Sequence, residues 1–210
     1  MDLDAAFDAD AAFDADAFFD AELEEHAQVA ARTRAALKQP FIRWVEMALA
    51  TIQGGGKIMF FGNGGSASDA QHLATELAVR YRRDRAPIAG LALTTDTSAL
   101  TAIGNDMGFD QLFARQILAL GRPGDMAVGI TTSGRSPNVL IGLDAARTAG
   151  ITTVALTGRD GGDTLSRADL ALVVPSETTA RIQEMHIMLG QMLCGALEIG
   201  LGLVTEEPRA

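Results

Sequence analysis

The chain has little cysteine, few aromatic residues and no long apolar run. Its one cysteine, Cys194, can close no internal disulfide, and its setting among Met192, Leu193 and Leu197 predicts a place in a helical core. A reducing, cytoplasmic location is the expectation that follows. No apolar stretch approaches the roughly 20 residues of a bilayer span, which argues against a membrane helix. The N-terminus is acidic rather than basic, which argues against a secretory signal. The body suggests no basic patch, so a nucleic-acid partner is disfavoured. There is no Gly-x-Gly-x-x-Gly and no glycine-rich loop ending in Lys-Ser or Lys-Thr, so nucleotide and dinucleotide cofactors are disfavoured as well.

What is present is unevenly placed. The formal charge of −10 comes from 27 acidic and 17 basic residues, but residues 2–25 hold ten acids and no base. The remaining 17 acids balance the 17 bases, so the body is neutral and the acidity is an N-terminal property. That segment repeats a hexapeptide: Asp4–Ala9, Asp10–Ala15 and Asp16–Ala21. Six residues turn a helix by about 600°, so Phe7, Phe13 and Phe19 would point to three sides of it, and Asp and Ala are poor strand formers. Residues 1–21 are therefore expected to be a low-complexity extension, disordered or loosely helical, with no catalytic role. A helical segment is expected over 22–56, carrying Leu23, Ala27, Ala30 and Leu37. Pro40 should interrupt it before the stripe Phe41, Trp44, Val45, Ala48 and Ile52, which ends at Gly54-Gly55-Gly56.

With 48% hydrophobic residues, the 210-residue chain is long enough for one large domain with a real core. From residue 57 to about 205, apolar runs at 57–61, 88–93, 126–130, 151–156 and 170–174 alternate with helical patterns near 67–82, 97–103, 109–119 and 136–149. This is the signature of an α/β fold, a doubly wound parallel sheet of five strands covered on both faces. A long final helix, about Thr179 to Leu203, is apolar enough to pack on the sheet and on a second subunit.

Two loops leave strands and enter helices: Gly62-Asn-Gly-Gly-Ser-Ala-Ser68, and Thr131-Thr-Ser-Gly-Arg-Ser136 before Pro137. Small residues let backbone approach a ligand, hydroxyls donate hydrogen bonds, and a helix N-terminus favours an anion. Either loop alone could be turn chemistry with serine caps. Two of this composition at equivalent positions point to a phosphate or a sugar, because such loops gather at the carboxyl ends of parallel strands. The helix after the first loop spaces His72, Glu76 and Arg80 four apart, on one face. An imidazole and a carboxylate so placed can hold a transition metal, the carboxylate can act as a base, and a surface salt-bridge ladder uses the same spacing.

These residues, together with Asp69-Ala-Gln-His72, Leu93-Thr-Thr-Asp-Thr97, Ala102-Ile-Gly-Asn-Asp106, Leu156-Thr-Gly158 and Arg181-Ile-Gln-Glu184, resemble sugar-isomerase (SIS) domain proteins. Within them the resemblance is to the phosphoheptose isomerases that act on sedoheptulose 7-phosphate, and it runs from about Gly54 to Leu203. It implies that Asn63, Gly64 and Gly65 contact substrate with Ser66 supporting their loop. Asn105 and Asp106 would contact the sugar, and Thr131, Thr132, Ser133 and Ser136 would cradle the phosphate. Glu76 would move a proton between C1 and C2 through an enediol, with Arg80 near the site. His72, Glu76 and Gln183 match positions that bind zinc in members that carry it. The resemblance also implies a homotetramer whose sites use residues from neighbouring subunits.

One departure stands out. The family places a histidine, metal ligand and general acid–base, eight residues after the position of Gln183; here that position is Gln191. An amide coordinates weakly and has no proton to shuttle near neutrality. The alternative is therefore a non-catalytic SIS protein that binds a sugar phosphate or a replication-initiator partner. SIS proteins of that kind share Arg-Ile-Gln-Glu-Met-His and lack the late histidine, but they also lack the counterpart of Glu76 and the full Gly-Gly-Ser, both retained here. His186 is expected to pack in the core, and His26 to be solvated.

Overall fold

In the computed structural model, which describes residues 13–205, β1 (Ile58–Gly62) and β3 (Met126–Ile130) are buried at every position. They lie inside a parallel sheet of order β2-β1-β3-β4-β5, completed by β2 (Gly90–Ala92), β4 (Thr152–Gly158) and β5 (Leu170–Val174). Successive side chains of a strand point to opposite faces. Ile58 and Phe60 accordingly enter the layer of α1 (Ala15–Gln53), α2 (Gly65–Ala78) and α7 (Thr179–Gly200). Met59 and Phe61 enter the other layer, built by α3 (Thr97–Asp106), α4 (Leu112–Leu120) and α5 (Pro137–Thr148). This is the doubly wound sheet that the apolar runs predict. A four-residue helix, α6 (Thr164–Arg167), is an addition that the sequence pattern does not reveal, and the helical pattern expected from 109 opens as a 3-10 turn at Phe109–Gln111 before α4.

The N-terminal region departs from expectation in two ways. The helix α1 begins at Ala15, inside the acidic repeat, where the Asp14 carboxylate caps it by accepting from the amides of Asp16 and Ala17 at 3.1 and 3.0 Å. The first hexapeptide and Phe7 lie outside the described residues. Nor does Pro40 interrupt the helix, which runs through it for 39 residues. A proline in a helix interior costs about 3 kcal/mol. The buried positions Val29, Thr33, Leu37, Trp44, Ala48 and Thr51 stay in phase across it, so one continuous helix buries one continuous stripe against α7 and β5. Polar ties hold the same pairing: Arg181 to Glu22 at 2.9 Å, Thr178 to Glu25 at 2.6 Å, and His26 to Glu184 at 2.8 Å. His26 is thus an anchor between helices rather than a merely solvated side chain.

Cys194 is fully buried, and burial pushes its thiol up to about 12, consistent with a core position. His186 is fully buried too; its Nε2 lies 3.0 Å from the Thr157 carbonyl, and burial pushes its pKa down to about 4. It is neutral and packs in the core, as expected.

An ion pair unmarked by any sequence pattern joins the end of α2 to α7. Arg85 and Glu198 meet at 3.0 Å with both side chains 1% exposed. Arg85 also donates to the carbonyls of Glu76 and Leu77 at 2.7 Å each, and Glu198 accepts from the Tyr81 amide at 2.9 Å. Removing one partner of a buried pair strands the other charge, which typically costs about 3–5 kcal/mol. Arg85→Met is expected to lose stability on that scale in urea unfolding, and Arg85→Met/Glu198→Leu is expected to be more stable than the single variant. A double variant no better than the single would show that the stranded charge is not the cause.

Candidate active site

The strand order reverses between β1 and β3, whose last residues, Gly62 and Ile130, stand opposite each other. The chain leaves β1 for the α2 layer and β3 for the α5 layer, which opens a crevice above the two carboxyl ends. Both loops singled out in the sequence start there.

Their backbones are built for close approach. Gly64 and Gly134 take φ of 57° and 66°, the left-handed region that glycine enters without strain. A side chain at Gly65 would strike the Gln183 amide, so α7 presses directly on the first loop. Neither α2 nor α5 is capped by a side chain, which leaves their N-termini suited to an anion. In the second loop the Thr131 and Ser136 hydroxyls lie 3.0 Å apart, and the Ser133 hydroxyl accepts from the Arg135 amide at 3.2 Å. Thr132, like Ser133, is half-buried.

Several residues that sequence reasoning missed hold these loops. Arg135 makes a two-point contact with Asp160 at 2.9 and 2.5 Å, and the Gly134 carbonyl accepts from the Asp163 amide at 3.0 Å. The Arg135 hydrogen bond, aided by the Gly162 amide, holds the Asp160 carboxyl down to about 2. The loop after β4 thus backs the loop after β3. Asn138, buried at the start of α5, pairs with Asn63. The one available signal was the Ser-Pro-Asn run that opens α5.

On α2, His72 Nε2 lies 3.0 Å from Glu76 Oε1, as the four-residue spacing predicts. Gln191 of α7 brings its amide nitrogen to 3.2 Å from the same ring nitrogen. His72, Glu76 and Gln191 therefore meet within one chain, and Gln183 meets the first loop. Arg80 does not continue the ladder. Helix α2 ends at Ala78, and Arg80 turns to Asp84 at 2.5 Å. Asn105 and Asp106 are exposed at the end of α3, hydrogen-bonded to each other at 2.7 Å; among the described residues no hydrogen bond ties them to either loop.

A family model, the SIS domain, matches residues 23–158. The phosphoheptose isomerase of Paramagnetospirillum magneticum is 57% identical over 176 residues, 84% of this chain and 92% of that one. Among solved structures, a phosphoheptose isomerase from Neisseria gonorrhoeae superposes with a TM-score of 0.82 at 44% identity, covering 87% of this chain and 97% of that one. The chain belongs to the SIS-domain phosphoheptose isomerases. Another member, from Francisella tularensis, gives a TM-score of 0.84 at 34% identity over 86% of this chain and 96% of its own.

The donor set of this phosphoheptose isomerase does not fit a tightly held zinc. Zinc sites draw three or four ligands from Cys, His, Asp and Glu. Among the described residues no group of three such side chains converges. His72 and Glu76 are two strong donors, and Gln191 and Gln183 add only amides. The ring nitrogen that would face a metal instead sits between Glu76 and Gln191, and it can serve only one of them at a time.

One turn before His72, burial raises the Asp69 carboxyl to about 6, against the opposing pull of His72, and Asp69 Oδ2 has no hydrogen-bond partner. A carboxyl whose pKa is raised on folding favours the native state only when protonated. Its ionised form costs stability above pH 6, and the cost disappears as pH falls through about 6 toward the unfolded value of 3.8. Asp69→Asn is expected to raise the thermal midpoint at pH 8, with the gain shrinking to nothing near pH 4. A gain independent of pH would refute this assignment.

Proposed function

We propose that this chain interconverts sedoheptulose 7-phosphate and D-glycero-D-manno-heptose 7-phosphate. The observation that carries the reading is the Glu76 carboxylate, held 3.0 Å from His72 on the helix that leaves the first crevice loop. Glu76 removes a proton from C1 of the ketose while O2 gains one, which gives the enediol. Loss of the O1 proton and return of a proton to C2 complete the aldose. Gly64, Gly65, Ser66 and the Asn63 backbone bind the sugar end, and Thr131, Thr132, Ser133 and Ser136 bind the phosphate with hydroxyls and the α5 N-terminus. Gln183, packed on Gly65, supports the sugar loop.

Arg80, Asn105 and Asp106 belong to this proposal through a neighbouring subunit. A homo-oligomer, a tetramer by family resemblance, is supported by the apolar groove where Phe41 and Ile42 of α1 meet Met188 and Met192 of α7. No helix among the described residues is long and apolar enough to cross a membrane. The buried thiol supports a cytoplasmic setting.

Gln191 stands where proton transfer needs a titrating group, and general acid–base help is typically worth about 10²–10⁴-fold. The natural chain is expected to turn over slowly and to retain well under one zinc per chain after dialysis, read by elemental analysis. Gln191→His is expected to raise turnover by about 10²–10⁴-fold and to bring zinc toward one per chain. Absence of aldose product from both proteins would sink the isomerase and favour a sugar-phosphate-binding protein. Stoichiometric zinc in the natural chain would overturn the account of its donor set.

A further inference from the structure

Asn63 and Asn138 come from different loops, 75 residues apart in the chain, and exchange both amide hydrogen bonds. Asn63 Nδ2–H donates to Asn138 Oδ1, and Asn138 Nδ2–H donates to Asn63 Oδ1, each at 2.8 Å. Asn63 is half-buried in the loop after β1, and Asn138, 1% exposed, is the second residue of α5. Sheet pairing between the two strands stops at Gly62 and Ile130, and from there the chain runs to opposite layers. The amide pair lies just beyond that last pairing, across the mouth of the crevice.

Two reciprocal hydrogen bonds fix both the distance and the plane of the two groups, because displacing either loop weakens both bonds together. A buried amide without a partner carries a desolvation penalty, so Asn138 is held by its need for Asn63. The pair also occupies one donor and one acceptor of the Asn63 side chain. That side chain is thereby turned toward α5.

We propose that the Asn63–Asn138 pair is a positioning brace that sets the gap between the sugar loop and the phosphate loop, and through that gap the affinity for the whole sugar phosphate. The affinity part rests on the sugar-phosphate reading above; the brace itself does not. Both residues are positioning residues whose effect passes through the loops they join.

The test is Asn138→Leu, which keeps the bulk and removes the hydrogen bonds, in the full chain. Hydrogen exchange in the free protein is expected to speed up in residues 62–68, which contain no substitution, as well as in 131–138. The dissociation constant for sedoheptulose 7-phosphate, by calorimetry, is expected to rise about tenfold, the equivalent of about 1.4 kcal/mol. Asn63→Leu/Asn138→Leu should bind no more weakly than the weaker single variant, since the brace is lost once. Should Asn138→Leu fail to fold, Asn138→Ser, whose hydroxyl is too short to reach the Asn63 amide, is expected to show the same changes. A lower melting point with unchanged exchange in 62–68, an affinity within twofold of the natural chain, or multiplicative losses in the double variant would each overturn the proposal. If the natural chain binds no sedoheptulose 7-phosphate, the functional reading fails, and the exchange data alone decide the brace.

Discussion

The parallel pairing of β1 with β3 is the constraint on which the site depends. Gly62 opposite Ile130 is the last register pair, and the two connections depart from it to opposite faces of the sheet. That departure makes a crevice without any dedicated binding domain. The proposed grip of the two loops on the sugar phosphate follows from what the chain places at this point: glycines that admit backbone, hydroxyls, two helix N-termini, and an asparagine pair across the gap. The strands themselves contribute no chemistry. Their continuous burial fixes the register, and the register fixes where the loops begin.

A second packing relation, α2 against α7, brings the side chains proposed for the chemistry together. His72 and Glu76 lie on α2, while Gln183 and Gln191 lie on α7, more than 100 residues later in the chain. Arg85 and Glu198 clasp the far ends of the same two helices, and Arg85 also holds the Glu76 carbonyl. Helix α1 closes over α7 through its in-phase stripe and the Glu22–Arg181 and His26–Glu184 ties. The geometry around Glu76 is therefore set by three helices from distant parts of the chain.

The strands and the two crevice loops were legible in the sequence because their signals are local: apolar runs for the strands, glycine and hydroxyl composition for the loops. The His72–Glu76 contact was legible for the same reason, four residues being about one helical turn. Pro40 and Arg80 depart from the local pattern because tertiary context decides there. A stripe running past Pro40 keeps α1 intact, and the early end of α2 takes Arg80 off the ladder. Asn138, Arg135, Asp160, Arg85 and Glu198 were not legible. Each acquires its role from a partner in another element, and no spacing in the chain announces such a pairing. The acidic repeat changes in meaning too. Its last residues, from Asp14, form the capped start of α1.

The central claim is that Glu76 moves a proton at C1 and C2 of a sugar phosphate bound in the β1–β3 crevice. Its most direct test is nuclear magnetic resonance of sedoheptulose 7-phosphate incubated with the protein in deuterated water. The account predicts deuterium appearing at C1 of the recovered ketose and at C2 of the aldose, at a rate proportional to enzyme, and its loss in Glu76→Gln. Equal incorporation by the natural chain and by Glu76→Gln, or none by the natural chain when the substrate is bound, would contradict it.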